Sequence, residues 1–454
     1  MSRKNEMDML NGSISDKILL FAIPLAASSI LQQLFNSADV AVVGRYAGSA
    51  PLAAVGSTGP IIGLLINLFV GLSIGANVTA AKYLGQRNDE AVKKTVHTSM
   101  LLALFSGVIL FIVGQKIIRP LLMLMSTPDD VLPLATTYMR IYFFGMPFTM
   151  LYNFGSALLR SIGDTKRPLI CLMVSGVVNV LLNLFFVIVC GMGVSGVAIA
   201  TVTSNVVSSG LIVLFLTREK SLIRLDLKAL KFDSKILSEV ARIGVPAGIQ
   251  GMVFSLSNVC IQGALNTFGS VAVAGSSAAL NFEYYTYYVL NAYSQTCTTF
   301  VSQNMGADNL KRCKSIVIRT AVMCAVSVIM VSSVFLLFDG MFLSIFTTEA
   351  EVMKYGFVRM HVILGFQVIN GMLEVFSGAM RGMGHSLTPA VITVVGVCGL
   401  RLVYVFIIFK IMGIGTFISL LAVYPISWII TASSIVLAFV LTYRKKVREG
   451  VTLA

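Results

Sequence analysis

The sequence predicts an all-α integral membrane protein, with twelve transmembrane helices in two six-helix bundles related by a parallel repeat. Three observations predict it: long uncharged runs, one-sided placement of the basic residues, and self-similarity at a single spacing. Of 454 residues, 56% are hydrophobic and 12% charged, whereas a soluble domain carries about a quarter charged residues. Mean hydropathy is +0.87. Residues 168–217 contain no Asp, Glu, Lys or Arg, and neither do 243–282, 46–81 or 411–443. A helix crosses a bilayer in roughly 20 apolar residues. The run 168–217 therefore holds two spans, turning at Gly191-Met192-Gly193.

Read in order, the twelve spans fall near 16–43, 50–81, 92–115, 131–160, 168–190, 194–217, 236–265, 271–304, 316–338, 352–380, 388–409 and 414–443. With the N-terminus inside, 26 of the 34 Lys and Arg residues fall in cytoplasmic segments. Six, including Arg359, fall outside, and Arg140 and Arg401 lie within spans. That bias is the positive-inside pattern, and it predicts that both termini are cytoplasmic. The net charge of +14 is thus a topology signal and no evidence for a nucleic-acid partner. Residues 1–17 are polar and lack a cleavage-like site, so they do not read as a secretory signal peptide. The seven cysteines are scattered without a CxxC pair. They read as small membrane-buried hydrophobes rather than disulfides or metal ligands.

Comparing the chain with itself reveals the repeat. AKYLGQRN at 81–88 aligns with SQNMGADN at 302–309, an offset of 221 residues. The same offset aligns ALLRSIGDTKRP at 157–168 with GAMRGMGHSLTP at 378–389. AIP at 22–24 meets GVP at 244–246 with one residue of slippage. Six spans per half is an even number, so equivalent spans run in the same direction and the repeat is parallel. The expected domains are 1–217, a cytoplasmic linker at 218–235, and 236–454. Gly85 and Gly306 are expected as helix C-caps, and Pro168 and Pro389 as openers of the next helix.

Ionisable residues within a span are costly, which makes them functional candidates. Asp39, Arg140, Glu283, Glu374 and Arg401 qualify. Asp39 is the clearest, because residues 18–38 and 40–44 around it are uncharged. It lies about 35 Å along the helix from Asp16 at 1.5 Å per residue, toward the outer half of the membrane. Water exclusion there penalises the charged form, which suits the residue to taking up and releasing a proton. Asn179 and Asn183 share one face of span 5 at i, i+4, and lie about 17 and 23 Å in. Thr201 on span 6 and Tyr138 on span 4 reach similar depth. These five form a candidate proton or cation site, although Asn and Thr also bond between helices for purely structural reasons.

The second half lacks an acid equivalent to Asp39, since span 7 carries only Glu239 at its entrance. Glu374 and Arg401 read either as a buried ion pair or, for Glu374, as part of a substrate site. Glu283 is followed by Tyr284, Tyr285, Tyr287 and Tyr288. One carboxylate among aromatic faces suits a lipophilic cation, and interfacial tyrosines are the ordinary alternative. The 22 methionines suit an adaptable binding surface or serve as apolar filler.

Pro24 fifteen residues before Asp39, then VVGRYAGSAPLAAVG at 42–56, resembles the multidrug and toxic compound extrusion (MATE) family. YLGQRN at 83–88 and LLRSIGDTKRP at 158–168, each echoed half a chain later, resemble it too. The resemblance covers residues 15–443. It implies a V-shaped pair of six-helix bundles that exports organic cations and other drugs in exchange for protons or sodium ions. Asp39 then falls on the helix 1 aspartate assigned to cation coupling, with Asn179, Thr201 and Tyr138 among its partners. Asn183 stands where some members have a second aspartate. The NorM-like branch uses an acid on helix 7 that is absent here. The resemblance is therefore to the DinF-like branch, which favours protons over sodium.

The resulting expectation is a monomeric antiporter in the bacterial cytoplasmic membrane that needs no cofactor beyond its coupling ion. It would export small amphipathic or cationic molecules, with Glu283, Tyr287 and Glu374 as candidate substrate contacts. A flippase for lipid-linked substrates would be expected to carry more intramembrane cations than Arg140 and Arg401. A major-facilitator transporter would carry a Gly-Asp-Arg-type motif where this chain has LGQRNDEAVKK. Three histidines without metal-ligand spacing, no nucleophile motif and no P-loop argue against an enzyme and against direct ATP use.

Overall fold

The computed structural model describes residues 6–125, 127–413 and 415–452. Residues 1–5, with two of the basic residues counted as cytoplasmic, and residue 414, where the twelfth span was expected to begin, lie outside the described residues. Among those described, the chain is helical without a strand. In order the helices are α1 (Ile14–Tyr46), α2 (Ser49–Gly85), α3 (Asp89–Leu124), α4 (Leu132–Phe144), α5 (Met146–Ser161), α6 (Lys166–Leu184) and α7 (Gly193–Thr217). After the linker come α8 (Ser234–Leu265), α9 (Ser270–Gly306), α10 (Leu310–Leu337), α11 (Asp339–Ser344), α12 (Ala350–Leu364) and α13 (Gln367–Gly382). The chain ends with α14 (Leu387–Thr393), α15 (Leu400–Val403) and α16 (Phe417–Thr452). Wide π-helical turns occupy Phe185–Val189, Val394–Gly399 and Tyr404–Ile411.

Nine of these helical stretches are long and apolar enough to cross a membrane, or ten if the pair α12–α13, bent by 41°, is one span. The other two expected spans are present in altered form. Residues 131–160 break at Gly145 into α4 and α5, and α9 spans 37 residues but carries Glu283 and many Ser, Thr, Asn and Gln residues.

The 221-residue repeat holds at the level of single residues. Ser49–Gly85 maps onto Ser270–Gly306, and Met146–Ser161 onto Gln367–Gly382, at both ends. Backbone in the left-handed region recurs too, at Gly48 and Gly269, Gly163 and Gly384, and Arg87 and Asp308. The last pair corrects the capping expectation. Gly85 and Gly306 are merely the final helical residues, and Arg87 (φ 55) and Asp308 (φ 53) make the turn. Each is followed by an asparagine, Asn88 or Asn309, whose side chain accepts from the backbone N–H three residues on, at 3.1 Å. That bond satisfies an orphan donor at the start of the next helix.

The residues group into two compact units. One is Ala27–Gly248 together with residues through Asp8; the other is Met9–Ala26 with Ile249–Ala454. The linker and the first part of α8 therefore belong with the first unit. Glycines explain this. A Cβ on Gly71 would lie 2.2 Å from the backbone of Gly248, and one on Gly75 would lie 2.2 Å from the carbonyl of Val240. Gly71-x3-Gly75 on α2 thus faces Gly244-x3-Gly248 on α8, the small-residue contact that lets membrane helices approach closely. Both long helices change unit two residues beyond an internal proline, Pro24 in α1 and Pro246 in α8, where a backbone hydrogen bond is missing.

In the second unit, α9 packs against α10, α12 and α13, and α13 packs against α16. Phe21 of α1 meets Phe300 edge-on at 5.4 Å. The residues just before α1 are held there as well. Met9 is fully buried, and its carbonyl accepts from Asn304 Nδ2 and Arg312 Nε, both at 3.1 Å.

Candidate functional site

The C-terminal part of α1 brings Asp39 against α6 and α7. Its carboxylate is 6% exposed, with Asn179 and Asn183 buried beside it. Asn183 Nδ2 donates to Asp39 Oδ1 and, at 3.3 Å, to Asn179 Oδ1. Thr201 Oγ1 lies 3.4 Å from Asp39 Oδ2 and 3.0 Å from the Val197 carbonyl. Its single hydroxyl proton serves one of these acceptors at a time. Asn179 Nδ2 reaches Thr201 Oγ1 at 3.5 Å. Four of the five residues read from the sequence are therefore joined by hydrogen bonds around one carboxylate.

Tyr138 is the exception. It is buried within Coulomb range of Asp39, but its ring stacks on Tyr142 at 6.0 Å and its hydroxyl makes no bond to the carboxylate. Tyr142, also within Coulomb range of Asp39, is a neighbour the sequence reading missed. So is the α1–α6 seat: a Cβ on Gly176 would lie 1.8 Å from the Phe35 ring. Gly176, Asn179 and Asn183 recur at i, i+3, i+7 on one face of α6, opposite Phe35 and Asp39 at i, i+4 on α1.

Several charged positions differ from expectation. Glu283 is paired: Arg359 Nε and Nη2 donate to its two carboxylate oxygens at 2.5 and 3.0 Å. Arg359, counted as an outer-loop residue, is 3% exposed within α12. Glu374 and Arg401 do not pair. Arg401 is fully buried, and its Nε and Nη1 donate to Ser427 Oγ at 3.3 Å and Asn258 Oδ1 at 3.2 Å. Arg140, counted within a span, is exposed.

Glu374 is half-buried on α13 and within Coulomb range of Tyr287 on α9. Tyr287, Asn291 and Gln295 form a half-buried polar stripe at i, i+4, i+8, with Gln295 Nε2 donating to Asn291 Oδ1 at 2.7 Å. Of the three candidate substrate contacts, Glu374 and Tyr287 lie within Coulomb range of each other, and Glu283, one turn before Tyr287 on α9, is paired with Arg359.

On the linker side of the first unit, Arg167 bridges two acids. Its Nε donates to Asp164, and Nη1 lies 2.5 Å from Glu219 Oε2. Burial alone would push the Glu219 carboxyl up. Hydrogen bonds from Arg167 and from the backbone N–H groups of Lys220 and Ser221 outweigh that and hold it below its ordinary value.

The MatE family profile matches residues 24–185 and again 246–407, one match per repeat. The probable multidrug resistance protein YoeA of Bacillus subtilis is 29% identical, over 87% of each chain. The probable multidrug resistance protein NorM of Thermotoga maritima is 27% identical, over 88% of this chain and 87% of its own. Among solved structures, the outward-facing conformation of a multidrug resistance MATE family transporter of the MOP superfamily superposes with a TM-score of 0.88 at 22% identity, over 99% of each chain.

Proposed function

The chain belongs to the MatE family, whose members are transporters rather than enzymes, and from that premise we propose that it exports drugs and other amphipathic or cationic small molecules across the bacterial cytoplasmic membrane in exchange for protons. Asp39 takes up and releases the proton. In this reading the protein works as a monomer, with both termini and the linker at 218–235 facing the cytoplasm.

The observation that carries the proton reading is the set of groups around Asp39. An ionised carboxylate only accepts hydrogen bonds, and here it is met by donors, the amide of Asn183 and the hydroxyl of Thr201. A sodium ion would need oxygen lone pairs turned inward instead. The opposite state has its partner at hand. Asn183 Oδ1 is buried without a hydrogen-bond partner, so rotation of that amide offers an acceptor to the O–H of a protonated Asp39. Thr201 would then return its proton to the Val197 carbonyl. Each protonation state selects a different network between α1 and α6–α7, and Pro24 leaves α1 easier to bend.

The test is transport in proteoliposomes under an imposed pH or sodium gradient, read with a fluorescent lipophilic cation. Efflux should follow the pH gradient and be indifferent to sodium. Sodium-driven, pH-insensitive efflux refutes the coupling and leaves the family intact. For topology, a cysteine at position 348 should be labelled from outside in a cysteine-free background, and one at 226 should not.

A further inference from the structure

The charges buried in the second unit do not balance. Glu283 on α9 is consumed by Arg359 on α12. Arg401 on α15 is fully buried, yet its hydrogen-bond partners, Ser427 and Asn258, are both neutral. Among the described residues, the one carboxylate within its Coulomb range is Glu283, which Arg359 already holds. Two guanidinium groups thus share one acid. A guanidinium does not shed its proton in a protein, and an uncompensated charge at membrane depth is costly.

The surroundings of Arg401 are arranged for a charged group. Its face lies 4.1 Å from the Tyr424 ring centroid, with Phe254 at 5.4 Å and Trp428 at 6.0 Å. Rings cover the guanidinium faces but leave its N–H edge unsatisfied. Arg401 Nη2 is buried without a hydrogen-bond partner, and so is the indole N–H of Trp428. Unpaired buried donors from two elements, beside one excess positive charge, lack an acceptor that carries one negative charge. The π-helical turns on either side of α15 are the kind of irregularity that membrane helices carry at functional positions.

We propose that Arg401, Asn258, Ser427 and Trp428 form a binding site for one compact monovalent anion, either a free halide or an oxyanion group such as a carboxylate or phosphate. The anion accepts from Arg401 Nη2 and Trp428 Nε1 and neutralises the buried cluster. The site is separate from Asp39 and does not depend on which ion drives transport.

Trp428 is the single tryptophan of the chain, so its fluorescence reports on the site directly. Solubilised full-length protein in a bulky zwitterionic sulfonate buffer, free of halide, carboxylate and phosphate, would be titrated with chloride, bromide, acetate or inorganic phosphate at constant ionic strength. The readouts are tryptophan emission and melting temperature. The expected result is a saturable change in emission with a rise in Tm of about 2–4 °C. Halide response alone assigns the site to a free halide; acetate or phosphate response alone assigns it to an oxyanion group. Arg401→Gln should abolish the response. Should that variant fail to fold, Asn258→Asp decides the matter, since it sets a carboxylate beside Nη1. It should be stable in the anion-free buffer and insensitive to every anion. No saturable response in the wild type, or an undiminished one in Asn258→Asp, overturns the proposal.

Discussion

Asn77 on α2 donates to the carbonyl of Ala157 on α5 at 2.9 Å, and 221 residues further on Thr298 Oγ1 on α9 lies 3.1 Å from the carbonyl of Gly378 on α13, its one proton shared with the Ser294 carbonyl at 2.9 Å. The same helix pair is stitched at the same place in each repeat by a different side chain. The buried charges show no such correspondence. Tyr138 of the first repeat stands where the second has Arg359, and Asn183 where it has Tyr404. The first repeat keeps one acid ringed by neutral donors. The second locks its acid into an ion pair and carries a spare arginine. Frame bonds require only a donor of suitable length, so they survive divergence of the halves. Buried charge must be balanced locally, so each half meets that demand with different residues.

The largest expected effect tests this contrast directly. Asp39→Asn should fold and insert normally, because the amide occupies the same space, yet lose pH-driven transport to background. Wild-type transport by this variant would move the coupling acid to Glu374, which is half-buried and unpaired with Arg401. Glu283→Gln should behave in the opposite way. It leaves Arg359 buried without its counter-charge, a loss of about 3–5 kcal/mol, seen as reduced folded yield and a lower Tm. Replacing both partners, with Glu283→Gln and Arg359→Met, should recover much of that loss. If the single variant were as stable as wild type, the pair would not be what holds α9 to α12.

The frame bonds give a smaller effect. Asn77→Ala should cost about 0.6 kcal/mol, the average for hydrogen bonds between membrane helices, and at most about 1.7 kcal/mol. Thr298→Ala should cost no more than that, since its hydroxyl is shared with the Ser294 carbonyl. A loss confined to one variant would show that the repeats have diverged in frame as well as in charge.

The frame was the more legible part in the sequence. The offset found from two short motifs carries helix ends of one half onto those of the other to the residue, because turns repeat their left-handed positions and asparagine caps; the span limits read from hydropathy fell a few residues off. The Asp39 cluster was also legible, since a lone acid in a long apolar run is conspicuous and i, i+4 spacing fixes which residues share its depth. What failed were pairings across long separations. Glu283 and Arg359 lie 76 residues apart, and an arginine near a span end looks the same as one in an outer loop. Matching Glu374 with Arg401 paired the charges left over, whereas Arg401 rests on ring faces that carry no charge to match. Tyr138 had the right depth, but depth alone does not say where a hydroxyl points.

The smallest expected effect concerns the linker side, where the halves differ again. Asp164 of the first repeat corresponds to His385 of the second, so the clamp of Asp164, Arg167 and Glu219 has no second-half counterpart built on an acid at that turn. Glu219 is held below its ordinary value of 4.5. A carboxyl with a depressed value in the folded state contributes stability above its unfolded value, and loses it as pH falls through the folded one. Glu219→Gln should therefore lower Tm at neutral pH by a few degrees at most, since the pair is partly solvated and screened. The difference from wild type should shrink once pH falls below about 4.5 and vanish when the wild-type carboxyl is protonated. Paired melting curves across that range measure it. A difference that stays constant with pH would mean that Glu219 acts by packing, and that its charge does not secure the linker.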